Sequence, residues 1–515
     1  MRYSSKLLQF SGLKKTFEIL TELTKEYQFE ILLGIFVFFL TYVIILLRRN
    51  VKRNYPPGPI GLPFIGYLPF LSEQLHLDLI QLGKKYGDVF SIRLGFQNVV
   101  VLHGGDAIRE GLLKPEFLGR PPYGTLQFIN PLTAFFGDNM LLWKEQRRFL
   151  MKTLRNLGVR KTKFEEDVMV EINNFLEVLK SYKGKPMNLK SALQASISNN
   201  ICALVLGKRY DHEDPRRIFL DKNLEKAMNS LSMISSYSLF PWIRHIPFFH
   251  KLLSVETSRL KYDILRNFFR NDLDKHKRSL DPEHIRDYID TFLLEIESKN
   301  EEDPNNTFTD DMLLTNILDL FVGGSETLNS SILWFVYGMG VYPDVQKKIQ
   351  LEVLEVIGPG DIPEFLHMKC MPYTTATIME LMRWKTIGPL DKRYTVADAR
   401  VNGYDVPKGT IILANFWNAH NDPRYWSEPE KFKPERFLSK DGKSVVKSMY
   451  YMPFSLGKRN CPGESMAYME LFLYITSILQ RFEIKFPNGL KQVIKGKLNI
   501  TYRSESYLVQ FIPRT

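Results

Sequence analysis

The stretch 454–464 constrains this chain more than any other, because it places one cysteine between glycines and basic residues. Cys461 lies between Gly457 and Gly463, and Arg459 comes two residues before it. Glycine is favoured where a backbone turns sharply or approaches a flat partner closely. The pattern therefore predicts a thiol that is held in a tight loop.

The apolar run 466–482 follows at helical spacing, so the loop is expected to end at the N-terminus of a helix. The partial positive charge of a helix N-terminus favours the thiolate, which is the form of cysteine that binds metals. Arg459 is suited to neutralise an anionic group on whatever the sulfur binds. For Cys461 taken alone, a buried structural cysteine is the competing interpretation.

The spacing Phe-x-x-Gly-x-Arg-x-Cys-x-Gly, filled by Phe454, Gly457, Arg459, Cys461 and Gly463, resembles the haem-binding signature of the cytochrome P450 superfamily. The resemblance implies that Cys461 is the axial thiolate of a haem iron and that the other four residues bind the cofactor. A thiolate ligand pushes electron density onto iron and favours O–O cleavage, which is the chemistry of a monooxygenase.

Length, charge and cysteine content narrow the class of protein. The chain has 515 residues and no internal repeat, so one large domain behind an N-terminal anchor is favoured over three domains. Its formal net charge of +12 suits an anionic membrane surface or an acidic protein partner. Nucleic acid is disfavoured, because the basic residues are spread out rather than clustered with aromatics. The three cysteines, Cys202, Cys370 and Cys461, form no disulfide framework, which fits a cytosol-facing location.

Residues 31–47 are apolar and uncharged, and as a helix they would span about 26 Å, close to the thickness of a hydrocarbon core. A cleaved signal peptide and a buried core helix are the alternatives. The polar lead 1–30 and the missing small-residue cleavage site argue against a signal peptide. Basic residues are densest just after the span, so the lead is expected in the lumen and the body in the cytosol. This predicts a single-pass membrane protein, and the family resemblance implies that the membrane is that of the endoplasmic reticulum.

The segment 48–66 is basic and then rich in proline, which predicts a stiff linker. The stretches 89–95 and 98–102 read as a β-hairpin, and long helical patterns dominate afterwards. The predicted fold is mainly α with a minor β part. The resemblance covers nearly all of 55–515, implies a haem-thiolate catalytic domain over 67–515, and is strongest for the microsomal group that includes drug- and hormone-oxidising members.

Further motifs match the same family in the expected order. Trp143 and Arg147 share a helix face and resemble the Trp-x-x-x-Arg pair that donates hydrogen bonds to a haem propionate. Without the other motifs, the alternative interpretation is that the two residues lie on a solvent-exposed helix face, with only the tryptophan ring packed against the protein. Arg393 aligns with a basic propionate partner of the family, and Lys392 is the nearby alternative.

A long helix is predicted over 312–341, and it contains the sequence Gly-Gly-Ser-Glu-Thr at 323–327. Two glycines inside a helix cost about 1 kcal/mol each relative to alanine, which suggests a packing or functional reason. The motif resembles the (Ala/Gly)-Gly-x-(Asp/Glu)-Thr element of the family. By that resemblance, Gly324 helps form a groove for oxygen, Thr327 stabilises activated oxygen and Glu326 supplies protons. A glycine-induced kink with a capping threonine is the structural alternative.

The pair Glu380 and Arg383 matches the family's Glu-x-x-Arg element, in which a later arginine, here Arg436, joins the pair. This role would be structural, supporting the cysteine loop. The apolar loop 120–140 is interpreted either as a pocket wall or as ordinary packing. The apolar segment 231–250 is interpreted as two helices with an exposed connection, which suits a membrane surface or a pocket entrance, and a plain interhelical loop is the alternative. Candidate pocket residues come from these loops and from the segments that flank the motifs: Phe128, Phe135, Phe136, Leu239, Phe240, Leu320, Gly324 and Leu390.

These observations together predict a membrane-anchored haem-thiolate monooxygenase. It would insert one atom of dioxygen into a lipophilic xenobiotic, lipid or hormone, using haem b and electrons from NADPH. Because no Gly-x-Gly-x-x-Gly dinucleotide site follows a strand, the NADPH-cytochrome P450 reductase is expected to be a separate partner that docks near Lys458 and Arg148, and cytochrome b5 is a further candidate partner. The alternatives are a haem-thiolate isomerase or dehydratase that needs no external electrons, and a non-catalytic haem- or lipid-binding protein.

Overall fold

The computed structural model describes residues 27–30, 32–34, 36–37, 40–41, 54–122, 130–158, 162–230, 239–246, 255–303, 306–489 and 493–514. The predicted anchor 31–47 and the lead before it lie mostly outside these residues, as do Phe128 and much of the loop 231–250. Within the described part of the chain, no helix is both long and apolar enough to cross a bilayer.

The predicted fold class, mainly α with a minor β part, is confirmed over the described residues. The helices have the following bounds: α1 Leu75–Tyr86, α2 Gly105–Leu113, α3 Met140–Asn156, α4 Thr162–Ser181, α5 Lys190–Leu206, α6 Pro215–Ser230, α7 Val255–Arg278, α8 Tyr288–Glu302, α9 Asp310–Val341, α10 Pro343–Val356, α11 Pro372–Trp384, α12 Phe416–Asn421 and α13 Glu464–Arg481. Short 3₁₀ turns connect several of them, at Leu68–Phe70, Pro115–Phe117, Pro241–His245, Phe365–Cys370, Pro434–Phe437, Gly457–Arg459 and Pro487–Gly489.

In the part of the chain that the structure describes, the strands are short and form four small sheets. Their bounds are β1 Val89–Leu94, β2 Gln97–Leu102, β3 Leu390–Tyr394, β4 Ala399–Val401, β5 Tyr404–Val406, β6 Ile411–Asn415, β7 Phe482–Lys485, β8 Gly496–Leu498, β9 Tyr502–Ser504 and β10 Gln510–Pro513. The largest sheet has the order β1-β2-β6-β3, and β1 and β2 are the predicted hairpin. Strand β3 is antiparallel to β6, with Arg393 opposite Ile412. Because strand side chains alternate, Asp391 and Arg393 lie on one face of β3.

Helix α9 is the central element of the helical part. Its N-cap Thr309 accepts a hydrogen bond from the backbone N–H of Met312, and Asp310 and Asp311 complement the helix dipole in the first turn. Most of its side chains are buried against α5, α7, α11 and α13. A helix buried on nearly every side is rigid, so it fixes the few positions that do open onto a cavity.

Candidate active site

The cysteine loop has the tight geometry that its glycines predict. Ser455 and Gly457 adopt left-handed backbone angles, with φ of 64° and 73°, and the backbone N–H of Cys461 donates to the Phe454 carbonyl at 2.9 Å. A Cβ on Gly457 would lie 2.4 Å from the Leu112 carbonyl oxygen, so only glycine fits there. Helix α13 begins at Glu464, three residues after the cysteine, as the sequence predicts.

The thiol of Cys461 is accessible to solvent, although protein atoms surround it densely. Burial raises the pKa of this thiol above its usual range, and neighbouring Glu464 adds to the rise. A hydrogen bond from the backbone N–H of Gly463 and the charge of Arg147 oppose it. The helix N-terminus therefore does not outweigh desolvation, contrary to the simple sequence argument. A thiol in such a recess becomes a stable thiolate when a metal coordinates it.

The two glycines of α9 have different surroundings. A Cβ on Gly324 would lie 2.5 Å from Ile201 Cδ1 on α5 and 3.9 Å from Met466 Cε on α13, so Gly324 permits close helix packing. Gly323 is exposed and a Cβ there would meet open space. The Met466 contact brings the first turn of the cysteine helix next to the glycine pair.

Thr327 opens onto the same space as Gly323. The two are four residues apart on α9 and therefore share a face, and both are exposed although their neighbours are buried. The Thr327 hydroxyl donates to the Gly323 carbonyl at 2.8 Å. The side chain of Glu326 points elsewhere, and its Oε1 lies 2.7 Å from Arg503 Nε.

A cluster of buried and half-buried arginines lies beside the cysteine loop. Arg120, Arg147, Arg393 and Arg459 influence one another electrostatically, and within the described residues Asp391 is the acid that pairs with them. Burial and the repulsion of the other three arginines lower the pKa of Arg459 to about 8. Burial would raise the pKa of Asp391, but Arg393 and Arg120 lower it to about 2.

Arg393 is the member of this cluster with spare donor capacity. Its Nε donates to Asp391 Oδ2 at 2.9 Å, and its Nη2 donates to Ser455 Oγ at 3.0 Å and to the Arg459 carbonyl at 3.1 Å. Among the described residues, nothing accepts a hydrogen bond from its buried Nη1. The alternative propionate partner, Lys392, lies on the other face of β3 and has its pKa lowered to about 8 by burial and by Arg120.

Arg459 is engaged with protein rather than free for an anion. Its guanidinium donates to the backbone carbonyls of Leu118, Phe135 and Gly137 at 3.1–3.3 Å. Its Cζ also lies 4.0 Å from the ring centroid of Trp143 on α3. Arg459 thus attaches the cysteine loop to the loop that precedes α3.

Trp143 and Arg147 share the face of α3 that meets the cysteine loop. Trp143 is buried, and Arg147 Nη2 donates to Asn460 Oδ1, next to the cysteine, at 2.7 Å. Burial lowers the pKa of Arg147, whereas the nearby Cys461 raises it. The pair that the sequence singled out is therefore brought to the cysteine loop.

The Glu-x-x-Arg element forms a fully buried ion pair. Arg383 Nε and Nη2 donate to the two carboxylate oxygens of Glu380 at 2.8 and 2.9 Å, and Arg436 Nε lies 2.9 Å from Glu380 Oε2. Arg383 Nη1 donates to the carbonyl of His420, whose Nε2 accepts from the backbone N–H of Met452 at 2.9 Å. This chain of contacts connects α11 to the segment that leads into the cysteine loop.

The candidate pocket residues do not form one group. Leu239 and Leu390 are buried together in the apolar cluster between α1 and the main sheet, where Phe240 packs against them. Phe135 and Leu320 pack at the edge of the main helical core, and Phe136 is exposed. Phe128 lies outside the described residues.

Several residues of this region were not singled out by sequence reasoning. Arg120 and Asp391 belong to the cation cluster, His420 links α11 to the cysteine loop, and Arg503 pairs with Glu326. Each acts through a contact over more than 30 residues of sequence. The one local signal is the position of Arg120 immediately before two prolines in an otherwise apolar loop.

These features fit one class of cofactor. An accessible cysteine sulfur, a glycine face on the neighbouring helix, and an excess of buried arginines with an unpaired donor suit a flat metal complex that carries carboxylates. The fold and the site therefore define a haem-thiolate protein.

Comparison with known proteins gives the family. The Cytochrome P450 family model matches residues 56–511. Human Cytochrome P450 2J2 is 35% identical over 475 residues, which cover 91% of this chain and 93% of that protein. Cytochrome P450 18a1 of Drosophila melanogaster is 34% identical over 498 residues (93% and 91%), and Bos taurus Cytochrome P450 2U1 is 32% identical over 492 residues (88% and 88%). The chain belongs to the cytochrome P450 family, whose monooxygenases use haem b and electrons that reach it from NADPH through a reductase.

Proposed function

We propose that this enzyme inserts one oxygen atom into a lipophilic substrate, a xenobiotic or an endogenous lipid or hormone, while anchored in the endoplasmic reticulum membrane with its catalytic domain, 67–515, in the cytosol. The observations that carry the proposal are that accessible Cys461 lies beside the arginine cluster, and that the first turn of the helix after it meets the glycine pair that precedes Thr327. Haem bound there supplies electron transfer and oxygen activation.

The residues around Cys461 would have different roles. Cys461 would hold the iron, while Arg147, Arg393 and Trp143 would hold the carboxylates of the cofactor. Arg393 is favoured over Lys392, since Arg393 shares the strand face of Asp391, donates to Ser455 of the cysteine loop and has an Nη1 without a partner among the described residues. Gly457 and Phe454 would keep the loop tight, and Arg459 would fasten it to the segment before α3 through backbone carbonyls.

The first test is the absorption spectrum of the reduced protein with carbon monoxide. A strongly red-shifted Soret band is expected, because thiolate ligation through Cys461 produces it. A haem band without that shift would contradict thiolate ligation, and a protein that binds no haem would overturn the whole proposal. Consumption of NADPH with a purified reductase then separates a monooxygenase from an isomerase, a dehydratase or a binding protein, which need no external electrons.

Thr327→Ala is expected to uncouple the enzyme. The hydroxyl of Thr327 faces the recess and orders it by donating to the Gly323 carbonyl. Without that hydroxyl, oxidation of a lipophilic test substrate should fall by roughly 100-fold, the lower range of what positioned proton transfer contributes, while NADPH is still consumed and hydrogen peroxide accumulates. Thr327→Ser keeps the hydroxyl and should remain coupled. Equal coupling in the two variants would contradict a role for this hydroxyl.

A basic stripe on α3 supports docking of an acidic reductase, with cytochrome b5 as a second candidate for the same surface. Lys144, Arg148, Lys152 and Arg155 are exposed and spaced at four, four and three residues, so they share one helix face. The neighbouring face of α3 contacts the cysteine loop through Arg147 and Asn460, and Lys458 of that loop is also exposed.

Arg148→Glu is therefore expected to raise the KM for the reductase several-fold, because it reverses a charge at the centre of the stripe. The effect should shrink as salt screens the surface charges. Lys222→Glu makes the same charge change on α6, which packs on α7, and should leave the KM unchanged. Equal effects of the two substitutions would indicate a dependence on net charge and not on this surface.

An exposed aromatic patch supports the membrane location. The rings of Phe64, Phe96, Phe240 and Trp242 follow one another at centroid distances of 6.1, 6.0 and 6.4 Å. Phe64, Phe96 and Trp242 are between 42% and 57% exposed, which is unusual for large aromatic side chains. Phe64 belongs to the predicted linker after the anchor, so the patch lies where the chain would leave the membrane.

Trp242 is expected to contact lipid when the full chain is reconstituted in vesicles. Brominated lipids should quench part of the tryptophan fluorescence, and Trp242→Phe should remove that quenched part. Trp334→Phe is the matched control, because Trp334 is fully buried. Quenching that survives in Trp242→Phe would contradict insertion of the patch.

A further inference from the structure

Lys385 comes directly after α11, and its ammonium group lies between two tryptophan rings. Its Nζ is 4.0 Å from the ring centroid of Trp384, the last residue of α11, and 4.6 Å from the ring centroid of Trp334 in α9. Both distances are within the range of a cation–π contact. The side chain of Lys385 therefore connects the C-terminal end of α11 to α9.

The surrounding structure fixes both rings. Trp334 is fully buried, its Nε1 donates to the Tyr502 carbonyl at 3.1 Å, and its ring stacks on the Tyr502 ring at a centroid distance of 5.5 Å. Trp384 Nε1 donates to the Glu430 carbonyl at 3.1 Å, and the Trp384 ring packs against Phe432. Because these contacts hold the rings in place, water is excluded from a large part of the space around the amine.

No acid compensates for this enclosure. Over the residues that the structure describes, Lys385 forms neither an ion pair nor a side-chain hydrogen bond, and no neighbouring charge influences its titration. Loss of hydration disfavours the ammonium form, so burial lowers the pKa of Lys385 to about 8. The side chain is nevertheless only half-buried, so a reagent from solvent can approach it.

A lysine in these surroundings is a nucleophile at neutral pH, because only the neutral amine carries a free lone pair. A lysine with the usual pKa of about 10.4 is roughly 0.1% neutral at pH 7.4, whereas one with a pKa of about 8 is roughly 20% neutral. Desolvation in an apolar site activates lysine in this way. Acylation also suits the site, since it replaces a half-buried cation with a neutral amide and removes the cost of burying charge.

We propose that Lys385 is a site of acylation by an acyl thioester. The Nζ lone pair attacks the thioester carbonyl carbon, the C–N bond forms as the C–S bond breaks, and the leaving thiolate takes up the proton that the amine loses. The step needs no oxidant or reductant, and it does not depend on haem. Acylation removes the cation from between Trp334 and Trp384, so the contact that joins α9 to α11 is weakened.

The test is a timed reaction of the full-length holoprotein with an isotopically labelled acetyl thioester, followed by peptide mass spectrometry at several pH values. Lys348 is the matched control. Its Nζ also lies over a ring, 5.1 Å from the Tyr373 centroid, but its side chain is 55% exposed and is paired with Glu435. At pH 7.4 Lys385 should acquire the label roughly tenfold faster than Lys348, since lower basicity offsets part of the gain in neutral amine. The rate at Lys385 should have its pH midpoint at about 8.

Two variants test whether the enclosure causes the reactivity. Lys385→Arg should remove the label from this peptide and keep the fold, because arginine preserves a cation between the rings. Trp384→Leu opens one side of the site to water, so the midpoint at Lys385 should move up by about one pH unit or more and labelling at pH 7.4 should slow several-fold. Tyr373→Leu removes the ring beside Lys348 instead and should leave the rate at Lys385 unchanged.

The wild-type rates decide the proposal even if a variant fails to fold, which circular dichroism would reveal. A rate at Lys385 that does not exceed the rate at Lys348 would overturn the proposal, and so would a midpoint near the ordinary value of about 10.4. An unchanged midpoint in a folded Trp384→Leu protein would show that the tryptophan enclosure does not activate the amine, and would overturn it as well.

Discussion

Cys461→Ala is expected to abolish the red-shifted Soret band of the reduced protein with carbon monoxide and to stop oxygen insertion, while the chain still folds. The thiol is accessible and accepts a hydrogen bond from the Gly463 backbone N–H. Removing it therefore deletes a ligand and leaves the packed core unchanged. The loss of activity should be complete within detection, because the remaining cysteines cannot replace the ligand.

The other two cysteines serve as controls for this test. Cys202 is fully buried in the helical core, and burial raises the pKa of its thiol well above the usual range. Cys370 is exposed in the 3₁₀ turn Phe365–Cys370. Cys370→Ala should retain the red-shifted band, and circular dichroism should give the same helix content for all three proteins. A red-shifted band that persists in Cys461→Ala would contradict the assignment of the sulfur ligand.

The sequence was most informative where local chemistry restricts the backbone. The cysteine loop needs glycine at Gly457 because the Leu112 carbonyl is too close for a side chain, and this need is visible as a motif. The long helix, its glycine pair and the Glu-x-x-Arg pair are likewise local, since each spans a few turns of one helix. Motifs of this kind therefore predicted that α9, α11 and α13 are helices and where in the sequence they lie.

Residues that act across the fold carried no such signal. Arg120 meets Asp391 over 271 residues of sequence, and Arg503 meets Glu326 from the last hairpin. An isolated arginine in a surface loop and one in a buried ion pair look alike in a sequence. Apolar residues have the same ambiguity: Leu239 and Leu390, which stay candidate pocket residues, are each 5% exposed in the cluster between α1 and the main sheet, and a sequence does not distinguish a pocket wall from such a core.

Arg459 illustrates a partial prediction. Its position two residues before the cysteine indicated a partner for an anion, and it does belong to the cation cluster. Its guanidinium is nevertheless directed at three backbone carbonyls and stacked on Trp143. A motif identifies which residue is required, whereas the division between anchoring the loop and binding the cofactor depends on elements that the motif does not contain.

Glu380→Gln is expected to cost about 3–5 kcal/mol in the free energy of unfolding, the range for breaking a fully buried ion pair by removing one partner. Glu380 and Arg383 are both 0% exposed, and Arg436 shares the same carboxylate. The backbone N–H of Lys433 also donates to Glu380 Oε1 at 2.9 Å. Neutralising the acid therefore leaves two buried arginines without their counter-charge.

Glu435→Gln is the matched control, because it neutralises an acid one residue from Arg436 in an exposed pair with Lys348. The side chains of that pair are 55% and 51% exposed, so its loss should cost about 0–1 kcal/mol. Denaturant unfolding followed by circular dichroism measures both variants. Because Arg383 also holds the His420 carbonyl, and His420 holds Met452 ahead of the cysteine loop, Glu380→Gln should additionally lower haem retention. Equal destabilisation by the two substitutions, or full haem retention in a destabilised Glu380→Gln, would show that the ion pair does not support the cysteine loop.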